Sequence, residues 1–232
     1  MATKKLFEAV KQNDINKVKK VLKEEKDIDI NETHLIVYED VGERHITPLH
    51  LACDEGYFEI AQLLLKDKRI DVNKTNNVGF TPFYLCCSFG RANIVKLFIE
   101  DERVNVNKQG SGGATPFYIA CQLGQLEVIK LMINNERVDV NRTEVDGCSP
   151  LYVACRKGFV EIVKLMLASN RVDLNQENKV GYTPLNISCY QGHHQVVSLL
   201  IEDQRLDVNK SKNQMTPFYI SCRQGHLELS RC

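Results

Sequence analysis

The sequence predicts an all-α solenoid, a row of helix pairs in which each pair is covered by the next. Three observations carry this prediction. First, a seven-residue motif recurs as TPLHLAC at 47, TPFYLCC at 81, TPFYIAC at 115, SPLYVAC at 149, TPLNISC at 183 and TPFYISC at 216, in steps of 34 residues and a last step of 33. A fixed period of this length means one supersecondary unit per copy. Second, each copy continues with a second apolar segment and then a polar arm. Third, no single copy holds enough apolar material to cover both faces of two short helices, so its neighbours must do so.

Residues 81–114 represent the unit. Thr81 suits a helix N-cap, and Pro82 fits the first helical position, where its missing N–H costs nothing. The first helix is expected to stop near Gly90 and the second to start close to Asn93. Ile94, Val95, Leu97, Phe98 and Ile99 make that second helix apolar on more than one side, which requires cover from adjacent units. The segment RVNVN and the glycine-rich stretch after it alternate as an extended arm and turn would.

The T-P-L-H-x-A opening, the Gly nine residues after the Thr, the E-I-V-K-L-like second helix and the D-V-N arm together resemble the ankyrin repeat, over nearly the whole chain. The resemblance implies antiparallel helix pairs with protruding β-hairpin fingers, stacked into a curved solenoid with a concave face. It also implies a single ankyrin-repeat domain over 1–232: a capping repeat with an extended finger at 1–46, full repeats at 47–80, 81–114, 115–148, 149–182 and 183–215, and a truncated repeat at 216–232.

The chain departs from the family pattern in two places. Where the family has G-A-D-V-N after the second helix, this chain reads KRIDVN, ERVNVN, ERVDVN, NRVDLN and QRLDVN. The αL glycine cap is missing, and Arg69, Arg103, Arg137, Arg171 and Arg205 place a cation near a helix C-terminus, which favours the helix dipole by a few tenths of a kcal/mol. A basic ladder for a partner is the competing reading, weakened by nearby Asp67, Asp101, Glu102 and Asp203. The motif His occurs only as His50, and Tyr84, Tyr118, Tyr152, Asn186 and Tyr219 replace it. Buried tyrosines need hydroxyl partners, so these are expected to be structural.

At the N-terminus, residues 4–31 repeat the helix–helix–arm pattern with lysines in place of apolar residues, as a polar cap should. Asn31 to Thr47 spans 16 residues where Asn73 to Thr81 spans 8, and the insertion HLIVYED is expected to lengthen the first finger into a hairpin. At the other end HLELSRC stops where a second helix should begin, which is expected to leave Val196, Val197, Leu199 and Leu200 partly uncovered. The expectation drawn is a fragment of a longer array, with association at that end as the alternative.

The totals restrict the function classes. Thirty basic and thirty acidic residues give no net charge, so no global field recruits nucleic acid or anionic lipid. No apolar run reaches membrane-spanning or secretory-signal length, so no membrane partner is expected, and a cytoplasmic location is, with the nucleus also open. Of nine cysteines, Cys53, Cys87, Cys121, Cys155, Cys189 and Cys222 form one column, five residues after each motif Pro. Equivalent positions of packed helices lie about 8–10 Å apart, too far for a disulfide or a shared metal, so the column is expected to be buried free thiol. No Walker, zincin, nucleophile-elbow or CxxC motif occurs. Cys189 with His193 and His194 is the densest reactive group, but Cys189 belongs to the column and His193 reads as a variable surface position. No enzyme, cofactor, metal or small-molecule substrate is expected.

Recognition remains. Resemblance to ankyrin binders points to the finger tip, the residue before T-P and the two residues before the motif Gly. The candidate partner-binding residues are Asp54, Glu55, Val78, Phe80, Phe89, Leu123, Arg156, Lys157, Tyr182, Tyr190 and Arg223. They read as a groove centred on Phe80, Phe89, Leu123, Tyr182 and Tyr190, with Arg156 and Lys157 selecting an acidic feature of a protein partner. The expected function is a non-catalytic scaffold or adaptor, and the alternative is the substrate-targeting arm of a larger multidomain enzyme such as a kinase or ubiquitin ligase.

Overall fold

Every motif opens its helix by the same local chemistry. In the computed structural model, which describes residues 2–39, 42–210 and 216–224, the side-chain oxygens of Thr47, Thr81, Thr115, Ser149, Thr183 and Thr216 each accept a hydrogen bond from the backbone N–H three residues on. Proline follows each cap, and its fixed φ suits the first turn. A cap of this kind stabilises a short helix by about 1 kcal/mol. Four of these helices are capped at the C-terminus by a left-handed glycine, Gly158 for example at φ 70°. A Cβ there would also lie 2.8 Å from the His193 ring of the following repeat, so this glycine serves both conformation and packing.

Contacts divide the chain into two units, Met1–Ser111 and Gly112–Cys232. The first holds α1 (Ala2–Lys11), α2 (Ile15–Glu24), strands β1 (His34–Tyr38) and β2 (Gly42–Ile46), α3 (Pro48–Glu55), α4 (Phe58–Lys66), α5 (Pro82–Ser88) and α6 (Ala92–Glu100). First helices pack in one row, α1 on α3 on α5, and second helices in another, α2 on α4 on α6. Leu6, Val10, Val18, Leu49, Ile60, Leu64, Phe83, Ile94 and Phe98 are buried between the rows. Phe83 meets Phe98 at a centroid distance of 5.6 Å, joining the helices of one repeat.

The insertion forms the expected hairpin, β1 and β2 pairing antiparallel from His34↔Ile46 to Tyr38↔Gly42. Among the described residues the later fingers are shorter and turn without forming strands. In the turn before Thr81, for example, Asn76 N–H donates to the Phe80 carbonyl at 2.9 Å and Gly79 N–H donates to the Asn76 carbonyl at 3.0 Å.

The second unit holds α7 (Pro116–Leu123), α8 (Leu126–Met132), α9 (Pro150–Lys157), α10 (Val160–Leu167), α11 (Pro184–Gln191), α12 (His194–Ile201) and α13 (Pro217–Arg223). Its rows run α7 on α9 on α11 on α13, and α8 on α10 on α12. Phe117, Ile129, Met132, Leu151, Val163, Met166, Val196 and Leu200 fill the space between them. Val196, Val197 and Leu200 are buried, which corrects the expectation for these three, while Leu199 is half-buried as expected. The reason is direction: the apolar side of α12 faces α10 and α11 of its own unit.

The arms lock consecutive repeats together. Arg69 Nη1 donates to the carbonyls of Glu25 at 3.2 Å and Lys26 at 2.8 Å, and Nη2 donates to that of Leu22 at 3.3 Å, all at the C-terminus of α2 in the preceding repeat. Asp67 orients the guanidinium from behind through Nε and Nη2, at 3.0 and 2.6 Å. Arg103 reaches the Leu65 carbonyl at 2.6 Å, and Arg205 reaches those of Leu167 at 2.6 Å and Ser169 at 3.0 Å. Arg171 does the same with no aspartate behind it, bonding the carbonyls of Ile133 at 2.9 Å, Asn135 at 2.8 Å and Val138 at 2.6 Å. Four of the five arginines, Arg69, Arg103, Arg171 and Arg205, are therefore cross-repeat caps for carbonyls that a helix end leaves without intrahelical partners. The sequence placed a cation at a helix C-terminus; the fold shows that the helix belongs to the repeat before.

An asparagine in four of the arms completes the joint. The Asn141 side chain donates to the Arg171 carbonyl at 2.8 Å and accepts from Asp173 N–H at 2.8 Å. Asn31, Asn73 and Asn175 make the same pair of bonds to residues of the next arm, from Nδ2 to the carbonyls of Arg69, Arg103 and Arg205 and from the backbone N–H of Asp71, Asn105 and Asp207 to Oδ1.

His50 is another bridge. Its Nε2 donates to the Phe80 carbonyl at 2.9 Å, and its Nδ1 lies 2.8 Å from Thr47 Oγ1, from which it accepts. Burial pulls its pKa down to about 4, so the ring is neutral. Tyr84, Tyr118 and Tyr152 are buried as expected, but Tyr219 is exposed, because α13 is the last described helix and none described covers it. Cys222 on α13 is exposed for the same reason, against the expectation for the column, while Cys53, Cys87, Cys121, Cys155 and Cys189 are buried and free. The expectation for segment 226–232 falls outside the described residues.

Three outcomes are expected. Arg171→Met, which strips caps from three carbonyls, lowers the free energy of unfolding by about 2 kcal/mol in urea titrations. Stability falls as pH drops from about 6.5 toward 4, because the unfolded state then protonates a histidine that the native state keeps neutral, and the His50 share is about 2 kcal/mol at pH 5. His50→Asn, the residue type found at the equivalent Asn186, should flatten that part of the urea-midpoint profile. A thiol reagent applied to the native protein labels Cys222 quickly and the five buried column cysteines slowly, as followed by peptide mass spectrometry.

Candidate functional site

Residues ahead of each T-P and each motif Gly are set by repeat geometry, so equivalent positions recur at one helix spacing. In the first unit, Phe80 is half-buried and stacks on Tyr84 with centroids 4.5 Å apart and planes 4° from parallel. Gly110 lies against both rings, where a Cβ would come within 2.7 Å of Phe80. Asn76 Oδ1 accepts from the backbone N–H groups of Val78 and Phe80 at 3.1 and 2.9 Å, fixing the turn that carries them. Phe89, at the end of α5, is 49% exposed.

Asp54 is engaged within the fold. Its carboxylate accepts a short hydrogen bond from the Tyr38 hydroxyl near the hairpin tip, and its carbonyl accepts from Arg91 Nη2 at 2.7 Å. Burial raises the Asp54 carboxyl pKa, and burial together with the carboxylate raises that of the Tyr38 hydroxyl. Glu55 beside it stays exposed. Nothing in the sequence pattern pairs Tyr38 with Asp54, since the contact exists only once the hairpin leans over α3.

In the second unit the helix ends gather aromatic and basic groups. Leu123 on α7 is 49% exposed. Arg156 is half-buried and Lys157 exposed on α9. Tyr182 and Tyr190 meet edge to face at 6.5 Å, the preferred quadrupolar arrangement. These two rings, with Tyr219, Ile220, Arg223 and Gln224, line an open cavity of about 260 Å³. Tyr190 is 43% exposed and Tyr219 50%. The fold thus brings Tyr182, Tyr190 and Arg223 to one place and adds Tyr219, which the sequence reading assigned to the interior.

Two members of the Cys189–His193–His194 group are taken up by packing. Cys189 is buried in α11, and His193 Nε2 lies 3.1 Å from the Arg156 carbonyl, closing the end of the preceding helix. His193, like Arg91 over Gly56 and Phe159 over Gly124, covers the glycine of the repeat before it, so this position is a packing site rather than a free surface position. Among the described residues no three His, Cys, Asp or Glu side chains gather as a metal ion would require. No described helix is long and apolar enough to cross a membrane.

A family model for ankyrin repeats, in three copies, matches residues 6–109, 97–178 and 166–231. No curated protein matches the chain. Proline-opened helix pairs and, within each unit, glycine ends covered by the next repeat and arms joined at equivalent positions agree with that match, and the chain belongs to the ankyrin-repeat family.

Proposed function

We propose that the chain is a non-catalytic protein-binding module, a scaffold or adaptor, that holds an acidic segment of its partner against the helix ends of the second unit. The observation that carries this reading is the open cavity walled by Tyr182, Tyr190 and Tyr219 next to Arg223. Rigid, partly exposed tyrosines cost little conformational entropy on binding and are common interface anchors. Lys157, Arg156 and Arg223 supply charge that speeds encounter with an acidic partner and fixes its register. Leu123 extends the surface toward α7. In the first unit Glu55, Val78, Phe80 and Phe89 offer separate contacts, and Asp54 contributes through its hydrogen bond from Tyr38, which holds the hairpin.

The test compares proteins captured by the wild-type chain with those captured by Tyr190→Ala and by Arg156→Glu, followed by titration of the captured partner. Each substitution should weaken binding by about 2 kcal/mol, or about 30-fold, with the thermal midpoint unchanged. Retention of full affinity by both variants would remove this reading.

A further inference from the structure

The first finger carries a surface that is independent of the helix ends. In an antiparallel pair, residues opposite one another either exchange backbone hydrogen bonds or turn their N–H and C=O groups outward to the two edges. On β2 the outward residues are identified by their partners: His45 N–H donates to Asn77 Oδ1 at 3.0 Å, and the Glu43 carbonyl accepts from Asn77 Nδ2 at 3.3 Å. The β2 edge is thereby closed by the next finger. Register places Leu35 opposite His45 and Val37 opposite Glu43, so the backbone groups of Leu35 and Val37 point out along the other edge. Among the described residues nothing pairs with that edge.

The side chains at this edge are apolar and open. Leu35 is 51% exposed and Val37 68%, whereas Ile46 is buried and Ile36 and Tyr38 are half-buried beneath them. Five residues rich in β-branched and aromatic side chains, with free edge groups and no proline, form a template for another strand. The hairpin is also held in place, by the Tyr38–Asp54 hydrogen bond at one end and His34 stacked on Phe7 at 4.3 Å at the other. A pre-formed edge spares an incoming segment the cost of ordering its host.

Charge selects the occupant. Segment 31–46 carries Glu32, Glu39, Asp40 and Glu43 against Arg44 alone, and Glu32, Glu39 and Glu43 are exposed around the apolar pair. A second copy of this chain would bring carboxylates against carboxylates. We propose that the outer edge of β1 binds an extended peptide segment of a partner protein by strand addition. That segment has apolar side chains opposite Leu35 and Val37 and lysine or arginine at its flanks.

The probe is a short synthetic peptide alternating valine and threonine, with lysines at both ends. Backbone amide resonances of Leu35 and Val37 should shift on titration, and replacing the lysines by glutamates should weaken binding by at least about tenfold at low salt. Val37→Pro removes one outward donor while leaving the β2 ladder intact, since the Val37 N–H takes no part in it, and should weaken binding by about tenfold or more. Val37→Thr, which keeps the donor, should stay within about threefold of the wild type. If Val37→Pro disturbs the hairpin in circular dichroism, Leu35→Lys, which sets like charge against the peptide lysines, should give the same loss. Absence of shifts at Leu35 and Val37, equal affinity of both end-charge peptides, or full binding by Val37→Pro would overturn the proposal. So would a concentration-dependent dimer in sedimentation that Val37→Pro abolishes, which would assign the edge to a second copy. None of these variants touches Tyr190 or Arg156, so the two binding surfaces are tested separately.

Discussion

Within each unit, a repeat ends with helix carbonyls that it cannot satisfy by itself, and the next repeat supplies their donors. That constraint organises the chain. An arginine two residues into the following arm reaches back over the end of the previous second helix, and an asparagine in the previous arm reaches forward to both backbone groups of the next. Buried or half-buried backbone groups left without partners cost about 1–3 kcal/mol each, so no single repeat is stable on its own terms. The apolar rows add non-directional cohesion, and the arms set the register in which that cohesion is realised.

A fixed register determines what the molecule can present. Helix-end side chains appear at equivalent positions along a unit, and α7, α9 and α11 carry them on backbones with like caps and glycine ends. Changing a residue at these positions alters the chemistry of the surface without altering its frame. The second unit uses them for tyrosines and cations, while the first uses one of them, Asp54, to hold its enlarged finger. A finger held in this way is a rigid strand edge rather than a loose insertion, which is why it carries a binding proposal of its own.

Much of the frame was legible because it depends on local rules. Thr or Ser before Pro is a cap and first turn in any context, and the period of 34 fixes how often it recurs. The doubled spacing from Asn31 to Thr47 foretold the hairpin. What escaped the sequence involves partners a full repeat away. Arg69 was read as a cation at a helix end, but spacing alone does not say that the end belongs to α2. The arm asparagines carry no signal in the sequence for their two bonds across the joint, because both partners lie in the next arm. His193 follows a variable column and so read as surface, although it seals the glycine of the preceding helix. Tyr219 shares a motif with buried tyrosines but lies on the last described helix, and exposure there depends on a neighbour that a motif does not encode.

The claim that arms bind consecutive repeats through asparagine is most directly tested by amide hydrogen exchange. Asp71, Asn105, Asp173 and Asp207 are exposed residues whose N–H groups donate to the asparagine of the preceding arm. The account predicts slow exchange at all four, and in Asn141→Ala a selective acceleration at Asp173. Exchange at the rate of unstructured peptide at these four positions in the wild type would contradict it.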